Sequence, residues 1–251
     1  MTGGAVLSDL QVYAWGVFLL FLRVAGVIAL APVFGERSLP MRLRAMVAFA
    51  FTVCLSPALG PLMPSPDLWT AAAEGVTGLC FGLLLRLVVL ALQMVGAIAA
   101  QSMSLAQVAG GGIVAEPAPA IGNLLTAGGV ALAASGGLHV QILGFLMQSY
   151  QLVPLGSSPL VSVWAEAGLG SVVRATWMAF SLAMPFVALS LFYNMLLGVM
   201  SRAMPQLMVM MIGAPIIVGL SLLALALLGP TLLHFWRDAL SNVLIQPERI
   251  L

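Results

Sequence analysis

The chain has 251 residues, of which 62% are hydrophobic and 7% charged, with a formal net charge of +1. Soluble domains hold roughly 45–50% apolar and about 25% charged residues, so too little polar side chain is present here to cover a soluble surface. A soluble enzyme, a disordered chain and a nucleic-acid-binding module with its basic footprint are excluded together. What remains is an integral membrane protein, read as one domain over 1–251.

A hydrocarbon core of ~30 Å needs about 20 mostly apolar residues in a helix. Six segments meet that ruler, at about 11–34, 45–63, 69–100, 121–149, 171–200 and 205–236. The first follows Asp9, has no basic start and is interrupted by Arg23, so it reads as a retained membrane helix and not a cleaved signal. It runs into a basic connection, 35–44. The second carries Pro57 and Pro61 and closes at Pro64–Pro66. The third holds Glu74, Arg86 and the small-residue set Gly75, Gly78 and Gly82, which allows close helix approach in a membrane. A glycine- and proline-rich stretch, 107–121, leads to the fourth, where Gly128–Gly129 and Ala133–Gly137 form a second smooth patch. A longer polar connection, 151–170, precedes the fifth, which contains Arg174, Pro185 and Asn194. A brief turn at Ser201–Met204 leads to the sixth, with Pro215 and Pro230. Each internal proline removes a backbone donor and invites a kink.

All nine basic residues are arginine, the cation that keeps its charge when buried and forks onto carboxylates or carbonyls. In a plain six-span arrangement the odd loops carry Arg37, Arg42, Arg44 and Arg202, which places them in the cytoplasm and both termini outside. Arg237 and Arg249 in the tail pull against that orientation. Arg23, Glu74, Arg86 and Arg174 read as buried charges, joined by Asn194 within apolar sequence. A charge at the centre of a lipid-exposed helix costs ~2.5–3.5 kcal/mol on insertion scales. Glu74 and Arg86 are twelve residues apart, about 18 Å along a helix, so they cannot bridge directly. Their partners must come from other helices or other chains, unless single residues snorkel to an interface.

Nothing marks a catalytic site. His139 and His234 are solitary, no cluster offers metal ligands, and Ser171 lacks the glycine of a nucleophile elbow. Cys54 and Cys80 read as small core residues. The expectation is no enzyme, no metal and no cofactor.

Two segments stand out. One is Arg23 followed by Pro32-Val33-Phe34-Gly35-Glu36-Arg37-Ser38-Leu39-Pro40-Met41-Arg42. Arginines approaching a helix N-terminus oppose its dipole, so these are expected to serve a partner or lipid headgroups. The other is Asn194-x-x-x-Gly198-x-x-x-Arg202-x-x-Pro205-Gln206-Leu207, followed by Ile212-Gly213-x-Pro215. Together with Gly137-Leu138-His139 and Leu152-Val153-Pro154-Leu155-Gly156, they resemble the signature stretches of the FliR/SctT family of type III export-apparatus proteins, over essentially the whole chain. The Gly35-Glu36-Arg37-Ser38 stretch leans towards the flagellar branch.

The resemblance implies an all-α membrane protein of long, proline-broken helical hairpins packing into a multi-subunit export gate. FliP-like and FliQ-like subunits would complete the pore, with FlhB-like and FlhA-like components attached and unfolded subunits as cargo. It implies the bacterial inner membrane and the flagellar basal body, with no nucleic-acid partner. The family's helices do not all cross the bilayer conventionally, which would correct the six-span topology and place the buried arginines between subunits. By residue chemistry alone, Gln107, Val108, Ala109, Gly110, Gly111, Gly112, Ile113, Val114, Ala115, Glu116, Pro117 and Ala118 suit either an exposed loop or a segment folded into a narrow channel. The resemblance implies the latter, a plug beneath the closed pore. Ala109-Gly110 and Glu116-Pro117 depart from the family's pattern there, so the plug's position carries over but its contacts do not. Of fifteen methionines, Met204, Met208, Met210 and Met211 cluster and read as interface packing. A self-contained solute transporter would want two related halves with matching helix breaks, and no such correspondence is found.

Overall fold

The computed structural model describes residues 2–36, 39–59, 67–108, 120–157, 161–203 and 209–249. These form helices only: α1 (Thr2–Leu30), α2 (Met41–Leu55), α3 (Leu68–Val108), α4 (Ala120–Ser135), α5 (Leu138–Leu152), α6 (Val161–Ala203) and α7 (Val209–Ile245), then a 3-10 turn at Pro247–Arg249. The all-α membrane class that the resemblance implied is the class observed among the described residues.

Proline and glycine set several helix ends. α1 stops just before Pro32, and α2 begins after Pro40, whose φ of −64° and ψ of 146° are extended. α5 starts after Gly137 in the left-handed region at φ 77° and stops before Pro154. Gly136-Gly137 divides the expected fourth segment into α4 and α5, bent by 77° at their junction. By contrast α6 continues through Pro185, and α7 through Pro215 and Pro230. Those prolines are carried inside helices and do not end them.

The span count changes accordingly. Among the described residues, four helices are long and apolar enough to cross a membrane, over Leu10–Leu30, Leu68–Ser102, Val161–Met200 and Ile216–Ile245, or five if the bent α4–α5 pair is one span. α2 has 15 residues, about 22 Å at 1.5 Å per residue, which is short of a bilayer core. The loop parity behind the expected orientation therefore loses its basis. α3 and α6, at 41 and 43 residues, each run to roughly 60 Å, about twice a hydrocarbon core. The expected polar connection 151–170 is also revised, because its second half opens α6.

The helices group into two compact units. One comprises Met1–Val88, Ala133–Val172 and Ala239–Leu251, and the other Val89–Leu132 and Val173–Asp238. In the first, Phe81 meets Phe145 and Trp164 edge-on at ring separations of 5.6 and 5.0 Å, next to buried Leu85 and Ile142. In the second, α3 and α4 touch backbone to backbone at Gly96 and Gly122. Gly129 lies against Leu92 and the fully buried Trp236.

Candidate functional site

The feature built with most polar detail lies inside the first unit, where α1, α3 and the end of α5 meet. Arg23 and Glu74 are both fully buried. The Arg23 Nε–H donates to Glu74 Oε2 at 2.6 Å, and an Nη2–H donates to Glu74 Oε1 at 2.9 Å. This fork geometry is the one a guanidinium and a carboxylate satisfy best. The Arg23 Nη1 donates to the carbonyls of Ser149 at 3.2 Å and Val153 at 2.7 Å. A cation on the last carbonyls of α5 also complements that helix's negative end. The Tyr150 ring closes over the guanidinium, 4.0 Å from its centroid, a cation–π contact strengthened by desolvation. Glu74 Oε1 accepts a further bond from the Gly156 N–H at 2.8 Å. That amide is presented by a left-handed turn at φ 78°, which glycine adopts without steric penalty.

A second ion pair lies three helical turns along α3. Arg86 donates from Nη1 to Glu36 Oε1 at 2.7 Å, with both side chains about one-fifth exposed. Glu74, Gly78, Gly82 and Arg86 recur every four residues and so line one slanting face of α3. Gly78 abuts the Arg23 backbone, and a Cβ on it would clash with the Arg23 carbonyl oxygen and Cα. A Cβ on Gly82 would lie 2.9 Å from the Gly26 oxygen, and one on Gly26 would lie 2.8 Å from Gly78. Residue numbers rise together along the contact, so α1 and α3 run parallel. Two salt bridges of opposite sense, Arg-to-Glu and Glu-to-Arg, close the ends of an interface in which Gly26, Gly78 and Gly82 set the closest approach. Gly75 lies off this face, with nothing within 4 Å of a Cβ there.

Glu36 is aimed by an unusual elbow. Val33 has φ 68°, and the Phe34 N–H reaches the Pro32 carbonyl at 2.8 Å. That is a positive-φ γ-turn, a rare and strained form, at a β-branched residue for which such φ is an outlier. Gly35 folds back onto the end of α1, where its N–H bonds the Ala31 carbonyl at 2.7 Å. A Cβ at Gly35 would lie 2.8 Å from both that oxygen and the Leu30 carbonyl carbon. Arg44 donates to the Glu36 carbonyl at 2.6 Å, which ties the elbow to the first turns of α2. Arg42 is exposed on the first turn of α2.

Of the sequence-predicted residues, Arg23, Pro32, Gly35, Glu36, Glu74 and Arg86 are thus brought together, and Pro40 starts α2. Arg23 and Arg86 pair within this chain, which corrects the expectation that they sit between subunits. Arg174 is exposed on α6 within this single chain. On α6, Asn194 is half-buried, while Gly198 and Arg202 are exposed in its last turns. Gly213 and Pro215 fall in the first turns of α7. Gln107 and Val108 close α3, whereas the rest of the expected plug, with Arg37, Pro205 and Gln206, lies outside the described residues. Sequence reasoning missed Gly26, Tyr150 and the carbonyl acceptors of Ser149 and Val153. Among the described residues, no group of three or more His, Cys, Asp or Glu side chains could hold a metal ion.

Comparisons with known proteins agree on one family. The sequence model for bacterial export proteins, family 1, matches residues 14–243. The flagellar biosynthetic protein FliR of Escherichia coli K12 is 26% identical over 248 residues, covering 94% of this chain and 91% of that protein. FliR of Caulobacter vibrioides is 27% identical over 250 residues, covering 96% and 98%. FliR of Bacillus subtilis 168 is 26% identical over 222 residues, covering 82% and 83%. With the family match running through nearly the whole helical chain, both ion pairs included, the chain belongs to the bacterial export proteins, family 1.

Proposed function

We propose that this chain is a core subunit of the flagellar protein export gate in the bacterial inner membrane. With FliP-like and FliQ-like subunits it forms the pore through which unfolded flagellar subunits leave the cell, and FlhB-like and FlhA-like components attach to that core. The observation that carries this reading is near end-to-end similarity to proteins named for flagellar biosynthesis. The exposed faces support it. Within their apolar windows α6 and α7 are only 28% and 22% buried, against 56% for α3, and α6 presents Trp177, Phe180, Phe192 and Leu196 outward. Contiguous apolar surface of this kind is covered by lipid or by neighbouring subunits.

The test is deletion of the gene in its host, with swimming and secretion of flagellar subunits scored before and after complementation. Loss of both, restored by the intact gene, supports the reading. Normal swimming with loss of secreted virulence proteins would assign the chain to an injectisome instead. Normal behaviour in both assays would overturn the export function. The glycine-rich stretch 107–118 is proposed as the plug of the resting pore.

A further inference from the structure

We propose that one face of the α3–α4 hairpin is the stretch of channel wall along which the exported polypeptide slides. Its lack of charge makes export indifferent to the sign of the cargo's charge. The inference rests on the export-gate reading and deepens it. Gly96 of α3 meets Gly122 of α4 backbone to backbone, and Gly129 lies on Leu92. Residue numbers thus run in opposite directions along the contact, and the two helices are antiparallel. At about 100° per residue, Gln93, Ala97 and Gln101 stand roughly 60–140° round α3 from Gly96. Asn123, Ala127 and Ala131 stand roughly 100–180° round α4 from Gly122, in the same rotational sense. In an antiparallel pair, equal turns from the contact line lead to the same side, so these residues share one face of the hairpin. All are exposed. On the other side, Gly128 and Gly129 are covered by Leu233 and Trp236 of α7.

Other exposed faces of α3 and α6 are apolar, as at Val76, Leu79 and Leu83 or at Trp177 and Phe180, which suits lipid or packed subunits. The hairpin face carries carboxamides and methyl groups instead, bordered by Leu90 and Leu124. An amide turned to hydrocarbon loses its hydrogen bonds at considerable cost, so this face needs water or another hydrogen-bonding surface. An unfolded polypeptide is such a surface, with a donor and an acceptor at nearly every residue. Each Asn or Gln carries both. Exchanging such a bond for one to water leaves little net free energy, so a passing chain is wetted without being held. The alanines leave room for cargo side chains of any size. The two helices lead into and out of the stretch proposed as the plug, which continues the same path. Between Arg86 and Glu166 the sequence has Glu116 as its one formally charged residue. A fixed charge in a narrow channel attracts cargo of one sign and repels the other, and this wall has none.

The experiment compares two versions of one flagellar cargo, identical except for an acidic or a basic segment in the exported chain. Host cells carrying this gene or its variants secrete them. With the intact chain, the acidic and basic cargoes are expected to leave at rates within about twofold of each other. Gln93→Arg and Ala127→Arg are each expected to slow the basic cargo about fivefold or more relative to the acidic one. Gln93→Glu and Ala127→Glu are expected to reverse that preference. A folding or assembly defect slows both cargoes alike and leaves their ratio at that of the intact chain. Should the charged variants fail to assemble, Ala97→Cys in a Cys54→Ser, Cys80→Ser background is charged after assembly. A cationic or an anionic methanethiosulfonate reagent does this, and the same ratio is read. A ratio that stays put in every variant would overturn the proposed wall. So would an intact chain that already favours one sign about fivefold or more. Normal secretion after deletion of the gene would instead overturn the export reading, and the wall with it.

Discussion

At the scale of single residues, the buried Arg23–Glu74 pair has the sharpest consequences. Two opposite charges removed from water depend on each other, and taking one away leaves the other uncompensated, typically at about 3–5 kcal/mol. Glu74→Gln is therefore expected to lower thermal stability in detergent by an amount of that order. It also weakens the acceptor for the Gly156 N–H. Replacing both charges, as in Arg23→Met with Glu74→Leu, is expected to cost less than the sum of the single changes. A double-mutant cycle on melting temperatures reads this directly, and additive effects would contradict the pairing. Sequence already singled out Arg23, Glu74 and Arg86, because charge inside apolar runs is expensive. It could not assign their partners, which lie 51 and 50 residues away in sequence and are brought close only by packing. Arg174 shows the converse. It lies on a side of α6 that this chain alone leaves uncovered, since local composition does not say which way a side chain faces or what covers it.

At the scale of elements, glycine position separates contact from mere helix weakness. Gly78→Ala would drive a methyl group into the Arg23 backbone and is expected to separate α1 from α3, with a clear drop in melting temperature. Gly75→Ala meets open space and is expected to be neutral or to stabilise α3 by up to ~1 kcal/mol through helix propensity. Measuring the two side by side checks the assigned face, and equal effects would refute it. At the α4–α5 junction, Gly137→Ala places a Cβ in the left-handed region at φ 77°, where a penalty of roughly 1–2 kcal/mol is expected. Circular dichroism melts would register it. The helix boundaries at Pro32 and Pro40 were legible because proline restricts its neighbours. The division at Gly136-Gly137 was not, because small residues also serve helix packing in membranes. The early start of α6 was hidden because Val161–Gly170 carries Glu166 and four alanine or glycine residues, a segment helical without being uniformly apolar.

At the scale of the whole molecule, composition established the membrane class and two sequence stretches pointed to the family. The span count went astray because apolar length alone was counted. α2 is apolar but too short, and the fourth segment is bent in two. The long exposed faces of α6 and α7 call for lipid or neighbouring subunits to cover them, and the proposed plug implies a pore for it to close. Deleting 110–118 is expected to leave assembly intact while making cells leak small ions. A tight membrane with normal export would contradict the plug. The most direct measurement of the central claim is affinity purification of this chain from its native host in mild detergent, with mass spectrometry of the particle. A large, defined complex with flagellar FliP-like and FliQ-like subunits is the predicted result. This chain alone in a small particle would contradict it.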